Sequence, residues 1–306
     1  MANANLDAEG ADMCCAACGI AEVDDIKLKE CDDCDLVRYC SDKCQQEHRP
    51  YHKTMCKERA AKLRDEKLFR QPESTHFGDC PICFLPLSLQ PFTSSVMGCC
   101  SKIICQACVY ADRKREIEAR LVPACPFCRH PVPKSDEEFD KINFKRIAAN
   151  DPVALREVGQ NRRKEGDHEV AYEYYTKAAE LGDAEAHYCL AASYEEGKCV
   201  EKDEEKVIYH LEEAAIAGHP DARFMLVSHE LGSGRVGRAV KHLIIAANLG
   251  HEKSMQGLKE CYKDRLISKE DFAAALRANY AAVHATKSPQ REAADTRRLK
   301  KSQIAG

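Results

Sequence analysis

The sequence predicts a multi-domain fold in which two small cysteine-rich modules precede an all-α helical-repeat solenoid. Two observations support this prediction. Sixteen of the nineteen cysteines lie between Cys14 and Cys128, mostly in pairs separated by two or three residues. In the second half of the chain, a ten-residue pattern with a central glycine recurs at Gly182, Gly218 and Gly250. A chain of 306 residues is long enough for two or three domains.

The composition limits the class of partner and the cellular compartment. The net charge of -4 argues against a protein that binds polyanions, and no basic recognition helix follows either module, so a nucleic-acid role is not expected. Residues 1–12 are polar and acidic, unlike a signal peptide, and no run of about 18 apolar residues predicts a membrane span. We therefore expect an intracellular protein, cytoplasmic or nuclear. There, paired cysteines bind metal more often than they form a disulfide scaffold, which is the alternative.

The first module, residues 14–56, contains four pairs of potential zinc ligands. The pairs are Cys15-x2-Cys18, Cys31-x2-Cys34, Cys40-x3-Cys44 and His52-x3-Cys56. Zinc binds four thiolate or imidazole ligands in a tetrahedron, and two cysteines separated by two residues reach one ion from a tight turn. The i, i+4 spacing of the last two pairs predicts a helix that presents both side chains on one face.

The runs 27–45 and 50–56 closely resemble the MYND zinc finger, and all eight ligand positions are present. The resemblance implies two interleaved zinc sites in a module that binds proteins, often as proline-containing peptides. The first site would use Cys15, Cys18, Cys40 and Cys44, and the second would use Cys31, Cys34, His52 and Cys56. The family usually has Trp where this chain has Arg49, and the chain contains no Trp, so any peptide groove is altered.

Several residues around these ligands carry expectations of their own. Cys14 is an alternative to Cys15, which is favoured because it keeps the two-residue spacing, and His48 is expected on a solvated helix face. Residues 1–13 are expected to be a disordered lead. Residues 57–79 are expected to form a helical exit and then a flexible linker, because the stretch is charged and contains Pro and Gly near its end.

The second module, residues 80–129, contains eight more cysteines. They are Cys80, Cys83, Cys99, Cys100, Cys105, Cys108, Cys125 and Cys128. So short a stretch cannot bury an adequate apolar core, whereas a structural zinc ion supplies on the order of 10–16 kcal/mol to folding. Four thiolates leave no open position for water, so a catalytic zinc is not expected. We predict two structural zinc ions in this module as well.

The stretch resembles a RING finger in an all-cysteine variant. The resemblance implies a cross-brace, with Cys80, Cys83, Cys105 and Cys108 at one ion and Cys99, Cys100, Cys125 and Cys128 at the other. Lys102 stands where the family usually has a His ligand, so Cys99 and Cys100 would act as the third and fourth ligands. RING fingers commonly recruit a ubiquitin-conjugating enzyme, and Ile82, Pro126 and Arg129 occupy the family's contact positions, with Arg129 as the basic linchpin. The alternative is that these residues only support local packing of the Cys-Pro-x-Cys turns.

The rest of the chain predicts helices. Residues 130–150 form a linker helix, with Ser135 and Glu138 as a capping box. The glycines at intervals of 36 and 32 residues, each preceded by paired alanines, indicate stacked helix pairs over residues 151–285. This region resembles Sel1-like repeats of the tetratricopeptide type, best seen at Tyr194, Gly197, Val200, Asp203 and the pair Ala214-Ala215 in the second unit. The stack would present a concave surface to protein segments or act as a plain spacer. Residues 286–306 are expected to be a polar tail.

Two hypotheses on function follow from these modules. The fold class is two zinc-stapled modules, MYND-like and RING-like, before a Sel1-like solenoid, with four zinc ions in all. The first hypothesis is a RING-type E3 ubiquitin ligase that recruits a ubiquitin-conjugating enzyme through the RING and other protein partners through the MYND finger and the repeats. The alternative is a non-catalytic zinc-binding adaptor. The basic run 297–301 could be a nuclear import signal, although a solvated tail is commoner.

Overall fold

The computed structural model describes residues 14–304, with only the backbone described for Asp136 and for residues 297–304. The disordered lead expected over residues 1–13 lies outside the described part. The chain divides into two compact units, Met1–Arg70 and Gln71–Gly306. No helix in the described part is both long and apolar enough to cross a bilayer.

The first unit contains a short hairpin and one long helix. Strands β1 (Lys29–Glu30) and β2 (Arg38–Tyr39) pair antiparallel, and helix α1 spans Asp42–Leu68. The Ser41 side chain caps α1 by accepting a hydrogen bond from the backbone N–H of Cys44. Cys40 lies before this cap, so among the two pairs predicted to be helical only His52 and Cys56 lie wholly on the helix. The exit predicted after residue 56 is helical as far as Leu68.

The second unit begins with the second cysteine-rich module. Strands β3 (Ser94–Val96) and β4 (Ile103–Cys105) pair antiparallel, with Ser95 opposite Ile104. Helix α2 (Gln106–Glu118) follows directly, and helix α3 (Asp136–Ala148) follows the last cysteine pair. The Ser135 half of the predicted capping box is present, because Ser135 Oγ accepts from the N–H of Glu138. The Glu138 carboxylate accepts from the N–H of Lys134, one residue before the N-cap, instead of from that of Ser135.

Eight helices then pack in sequence as the predicted solenoid. They are α4 (Pro152–Glu165), α5 (His168–Glu180), α6 (Ala184–Glu196), α7 (Glu204–Ile216), α8 (Pro220–Gly232), α9 (Val236–Asn248), α10 (Glu252–Lys263) and α11 (Lys269–Ala285). Buried alanines between neighbouring helices, including Ala178, Ala214 and Ala246, allow the helices to approach closely. The repeated glycine adopts a left-handed conformation after the helix, with φ of +85° at Gly182 and Gly218 and +87° at Gly250. The predicted fold class is thus confirmed.

The second cysteine-rich module is attached to the start of the solenoid. The Arg146 side chain on α3 is buried and donates to the backbone carbonyl of Gly98 at 2.6 Å. It also contacts Ser101 and Asp151, the residue that caps α4. Because the Arg146 side chain is only 9% exposed, separating the module from α3 would leave this buried cation without its partners, which is costly. Residues 130–150 therefore connect the second module to the solenoid through specific contacts.

The connection Gln71–Asp79, expected to be a flexible linker, packs against the solenoid instead. The Gln71 side chain accepts a hydrogen bond from Asn248 Nδ2 at 3.0 Å. The backbone N–H of His76 donates to the carbonyl of Gly218 at 3.1 Å, and the His76 ring stacks on His219 with centroids 4.1 Å apart. Polar partners from distant repeats hold this segment. Because those partners are far away in the chain, the polar composition of the segment alone suggested a flexible linker.

The expected polar tail over residues 286–306 is also different in the structure. Helix α12 spans Pro289–Ile304 and packs against α2. The Ser288 side chain accepts from the N–H of Arg291, and Ala294 contacts the apolar residues around Cys80. The Arg291 side chain is buried, with 8% of the residue exposed. A polar sequence can form a docked helix when its few inward-facing residues find partners.

Candidate metal centres

The structure brings sixteen predicted ligands together in four groups. Within each group the ligand atoms lie within 4.8 Å of one another. The groups are Cys15, Cys18, Cys40 and Cys44; Cys31, Cys34, His52 and Cys56; Cys80, Cys83, Cys105 and Cys108; and Cys99, Cys100, Cys125 and Cys128. These are the same sets that the resemblances to the MYND and RING fingers imply. Cys14 lies outside them and pairs through its backbone with Ala21.

The first cluster forms where residues 14–18 meet the hairpin. Cys15 forms an isolated parallel β-bridge with Arg38 of β2, and the N–H of Ala16 donates to the Arg38 carbonyl at 2.9 Å. Cys40 follows β2 directly. Its Sγ lies 3.6 Å from the Sγ of Cys18 and 3.6 Å from that of Cys44 in the first turn of α1. The cluster therefore joins the turn of residues 15–18 to the hairpin and the helix.

The second cluster joins the hairpin to α1. Cys34 Sγ lies 3.0 Å from His52 Nε2, and Cys31 Sγ lies 3.8 Å from Cys56 Sγ. The buried core of this unit consists of one ligand of the first cluster, two ligands of the second cluster and one aromatic residue. They are Cys15, Cys31, Cys34 and Tyr39. Since so little apolar surface is buried, the ligand groups themselves are the centre of the fold.

His48 is a supporting residue that the sequence reasoning placed on a solvated face. Its Nδ1 lies 3.0 Å from the hydroxyl of Tyr39, and its ring stacks on that of His52 with centroids 5.7 Å apart at 16°. His48 thus fixes the orientation of the His52 ring from one helical turn away. The i, i+4 spacing was the available signal, but only the position of Tyr39 gives the residue a partner.

In the second module the clusters alternate along the chain. Cys83 Sγ lies 3.8 Å from Cys105 Sγ across the intervening loop. In the other cluster the Sγ atoms of Cys99 and Cys128 are 3.4 Å apart, and those of Cys100 and Cys125 are 3.9 Å apart. The chain therefore passes from the first cluster to the second, back and forward again, which is a cross-brace.

A tight turn allows the adjacent residues Cys99 and Cys100 to face one cluster. The N–H of Cys100 and that of Ser101 both donate to the Met97 carbonyl, and Ser101 has φ of +59°. Lys102 lies outside the cluster, with its Nζ 6.0 Å from the centre of the Phe127 ring.

The donor sets fit zinc. A tetrahedron with zinc–sulfur bonds of about 2.3 Å has edges of about 3.8 Å, and the measured sulfur–sulfur distances run from 3.4 to 3.9 Å. These separations are far beyond a disulfide bond of about 2.05 Å. Four thiolate or imidazole donors close each site, so any bound zinc would be structural. Zinc binding follows from the donor chemistry and its spacing.

A fifth cluster, which the sequence reasoning missed, consists of His76, Glu185 and His219. His219 Nδ1 accepts a hydrogen bond from the N–H of Ala222, so its proton lies on Nε2, which faces Glu185 at 3.2 Å. That nitrogen has no free lone pair for a metal, and the His76 Nε2 also lies 3.3 Å from the same Glu185 oxygen, so both histidines face the carboxylate. Burial would raise the pKa of Glu185, but hydrogen bonds from the two histidines hold it well below its ordinary value. The cluster attaches the connecting segment to the repeats.

The three residues implied in enzyme recruitment lie on the second module. Ile82 and Arg129 are exposed and Pro126 is half-buried. Arg129 Nη1 donates to Asp112 of α2, at 2.8 Å to one carboxylate oxygen and 3.0 Å to the other. Burial would raise the pKa of Asp112, but hydrogen bonds from Arg129 and Arg115 hold it below its ordinary value. The partner Asp112 was not recognisable from the sequence.

Comparisons with known proteins identify two of the three regions. Family models match a MYND finger at residues 15–56 and Sel1 repeats at residues 154–183, 184–219 and 231–251. Among solved structures, the chain is similar to a Sel1 repeat protein from Oxalobacter formigenes, with 30% identity, 50% of this chain and 66% of that chain covered, and a TM-score of 0.43. It is also similar to c5321, a protective antigen of uropathogenic Escherichia coli strains with an SLR fold, with 20% identity, coverage of 55% and 37%, and a TM-score of 0.39.

The chain spans 66% and 37% of the lengths of these two structures. No curated protein matches it. The family matches cover the residues on which the MYND and Sel1 resemblances were based. These are the paired ligands of the first module and the recurring glycines of the solenoid. The chain therefore carries a MYND finger near its start and Sel1 repeats in its second half.

Proposed function

We propose that the chain is a protein-interaction protein that binds four zinc ions and uses residues 80–129 as a RING-type finger to recruit a ubiquitin-conjugating enzyme. The observation that carries the proposal is the alternation of the two all-cysteine clusters along this module. Such cross-bracing holds the turns that contain Ile82 and Pro126 in one rigid body. The MYND finger and the Sel1 repeats support a role as an adaptor for other proteins.

In this proposal each zinc ion stabilises the module that holds it. Every cluster supplies four protein donors, so the ions would organise binding surfaces and take no part in chemistry. The covalent transfer of ubiquitin would remain on the conjugating enzyme. The residues of this chain would bind that enzyme and orient it.

Arg129 would be the orienting group. Its side chain is 56% exposed, and its planar guanidinium can donate to two acceptors at once. It is held by Asp112 and would have to exchange that carboxylate for acceptors on the recruited enzyme. Ile82, which is 37% exposed, would supply an apolar contact to the same enzyme.

The same ion pair favours a second candidate function, a non-catalytic zinc-binding adaptor. In that case Arg129 would only tie the last cysteine turn to α2 through Asp112. The exposed apolar residues of the module, including Phe84 and Phe127, would then contact a different protein. The two candidates differ in whether ubiquitin is transferred.

Ubiquitin-chain formation by the zinc-loaded full chain, with a panel of conjugating enzymes, tests the proposal. We expect Arg129→Ala to lower the rate about 10-fold or more, because hydrogen bonds to a charged group contribute about 1.5–3 kcal/mol. Ile82→Ala should also lower the rate. Asp112→Asn should preserve or raise it, because this change frees Arg129 while keeping the shape of its partner.

Arg120→Ala is the matched control, since Arg120 is an exposed arginine of the same module. If no enzyme of the panel gives chains although zinc is retained, the ligase proposal is wrong and the adaptor remains. If Asp112→Asn and Arg129→Ala are equally inactive, the ion pair has a structural role and the linchpin assignment is wrong.

A further inference from the structure

Arg291, on the first turn of α12, is a buried cation in the second unit. Its Nη1 donates to the carbonyls of Pro86 at 2.6 Å and Thr286 at 2.8 Å. Its Nη2 donates to the carbonyl of Leu85 at 3.0 Å and to the Sγ of Cys83 at 3.2 Å. The guanidinium thus reaches directly from the last helix into the cluster of Cys80, Cys83, Cys105 and Cys108.

These four contacts differ in the charge they can offer. The three carbonyl oxygens are neutral, and only the cysteine sulfur can carry a negative charge. Burying a cation is costly unless an opposite charge compensates it. The position of Arg291 is therefore favourable when Cys83 is a thiolate, which is the form that binds zinc. Four thiolates around one Zn²⁺ leave a net charge of -2, and the neighbouring guanidinium offsets one of these two charges.

Other contacts of α12 hold the helix in the same place. The Gln290 side chain donates to the carbonyl of Ala107, next to the ligand Cys108, at 3.4 Å. Ala294 packs against the apolar residues that surround the same cluster. The first part of α12 is therefore held mainly by the cluster and the turn that follows Cys83.

We propose that Arg291 stabilises zinc in the Cys80, Cys83, Cys105 and Cys108 cluster by donating to the Cys83 thiolate, so that zinc binding and docking of α12 depend on each other. Such coupling is reciprocal, because whatever strengthens one equilibrium strengthens the other by the same factor. The inference rests on the proposed zinc binding of this cluster and is independent of any ubiquitin transfer. Loss of zinc would release the C-terminal helix.

The test uses the zinc-loaded full chain and the variant Arg291→Gln. A chelator in excess removes the metal while N-ethylmaleimide labels exposed thiols, and mass spectrometry resolves the labelled peptides. We expect the Cys80, Cys83, Cys105 and Cys108 set to be labelled about 10-fold faster in the variant, the lower end of the effect of removing such a supporting partner. The Cys99, Cys100, Cys125 and Cys128 set should be labelled at the wild-type rate.

Hydrogen exchange provides the second readout. In the wild type, chelation should remove the protection of the amides of residues 291–296, and in Arg291→Gln these amides should be unprotected even with zinc bound. Arg277→Gln on α11, an exposed arginine, is the matched control and should behave as the wild type. Arg291→Lys keeps the charge without the planar fork and should give an intermediate labelling rate.

Equal labelling rates in the wild type and Arg291→Gln, with zinc present in both, would overturn the proposal. If Arg291→Gln exposes both cysteine sets together, the labelling rate of Arg291→Lys is used for the comparison instead. In either variant, a released α12 together with wild-type labelling of the cysteines would count against coupling. An error in the underlying zinc assignment can be distinguished from a failure of the coupling. In that case the wild type itself would hold no zinc in this cluster by native mass spectrometry.

Discussion

Replacing Cys15 by alanine is expected to remove a zinc ion and to unfold residues 14–56, whereas the same change at the adjacent Cys14 is expected to do neither. Cys15 is 2% exposed and belongs to the core of the first unit, which consists chiefly of ligand cysteines and Tyr39. Cys14 contributes a backbone bridge to Ala21, which alanine can also make. A structural zinc supplies on the order of 10–16 kcal/mol, so losing a ligand outweighs an ordinary surface substitution of about 0.5 kcal/mol.

Two measurements on the full chain check this result. Native mass spectrometry counts the bound zinc ions in the two variants. Hydrogen exchange or limited proteolysis over residues 14–70 reports whether the unit remains folded. Loss of zinc in Cys14→Ala with retention in Cys15→Ala would reverse the ligand assignment, and equal loss in both would show that the two cysteines share the role.

The second large effect is expected at Gly218. Both Gly218 and Gly182 have φ of +85°, a conformation that costs a residue with a Cβ about 1–2 kcal/mol. A Cβ at Gly182 meets nothing within 4 Å, whereas one at Gly218 would lie 2.6 Å from the backbone oxygen of Ser74. The backbone cannot yield as a flexible side chain can, and such overpacking costs about 1–3 kcal/mol more. Gly218→Ala should therefore destabilise the second unit more than Gly182→Ala and release residues 71–79.

The comparison of these two variants isolates the docked segment. Urea unfolding gives the difference in the free energy of unfolding, and hydrogen exchange at His76, whose N–H donates to the Gly218 carbonyl, reports docking. Equal destabilisation by the two alanines, with unchanged exchange at His76, would mean that the contact between the segment and the repeats does not stabilise the protein.

Local spacing explains why so much of the metal centres was predictable. A cysteine pair separated by two residues, or a His and a Cys one helical turn apart, prepares two ligands without help from the rest of the chain. The recurring glycine and alanine pattern is likewise local, because each helix pair repeats the same cap and the same close contact. Both signals recur in the sequence, and both correspond to features of the structure.

The contacts that attach residues 71–79, α12 and the last cysteine turn had no such signal. Arg291 occurs in a polar stretch, and only the fold places the Cys83 sulfur 3.2 Å from it. Likewise His76 contacts Glu185 and His219 only because the packing of successive repeats places these two side chains next to each other. Arg129 is a visible motif residue, but its pairing with Asp112 depends on where α2 lies beside the last cysteine turn.

The sequence by itself determined the order of the modules, the ligand residues available to zinc and the helical repeat, because spacing and periodicity act over a few residues. The tertiary structure alone decided that residues 71–79 and α12 dock instead of remaining free. Both stretches are polar and bury few apolar groups, so periodicity does not reveal which side they present. Their docking depends on single charged or hydrogen-bonding side chains whose partners lie more than a hundred residues away in the chain.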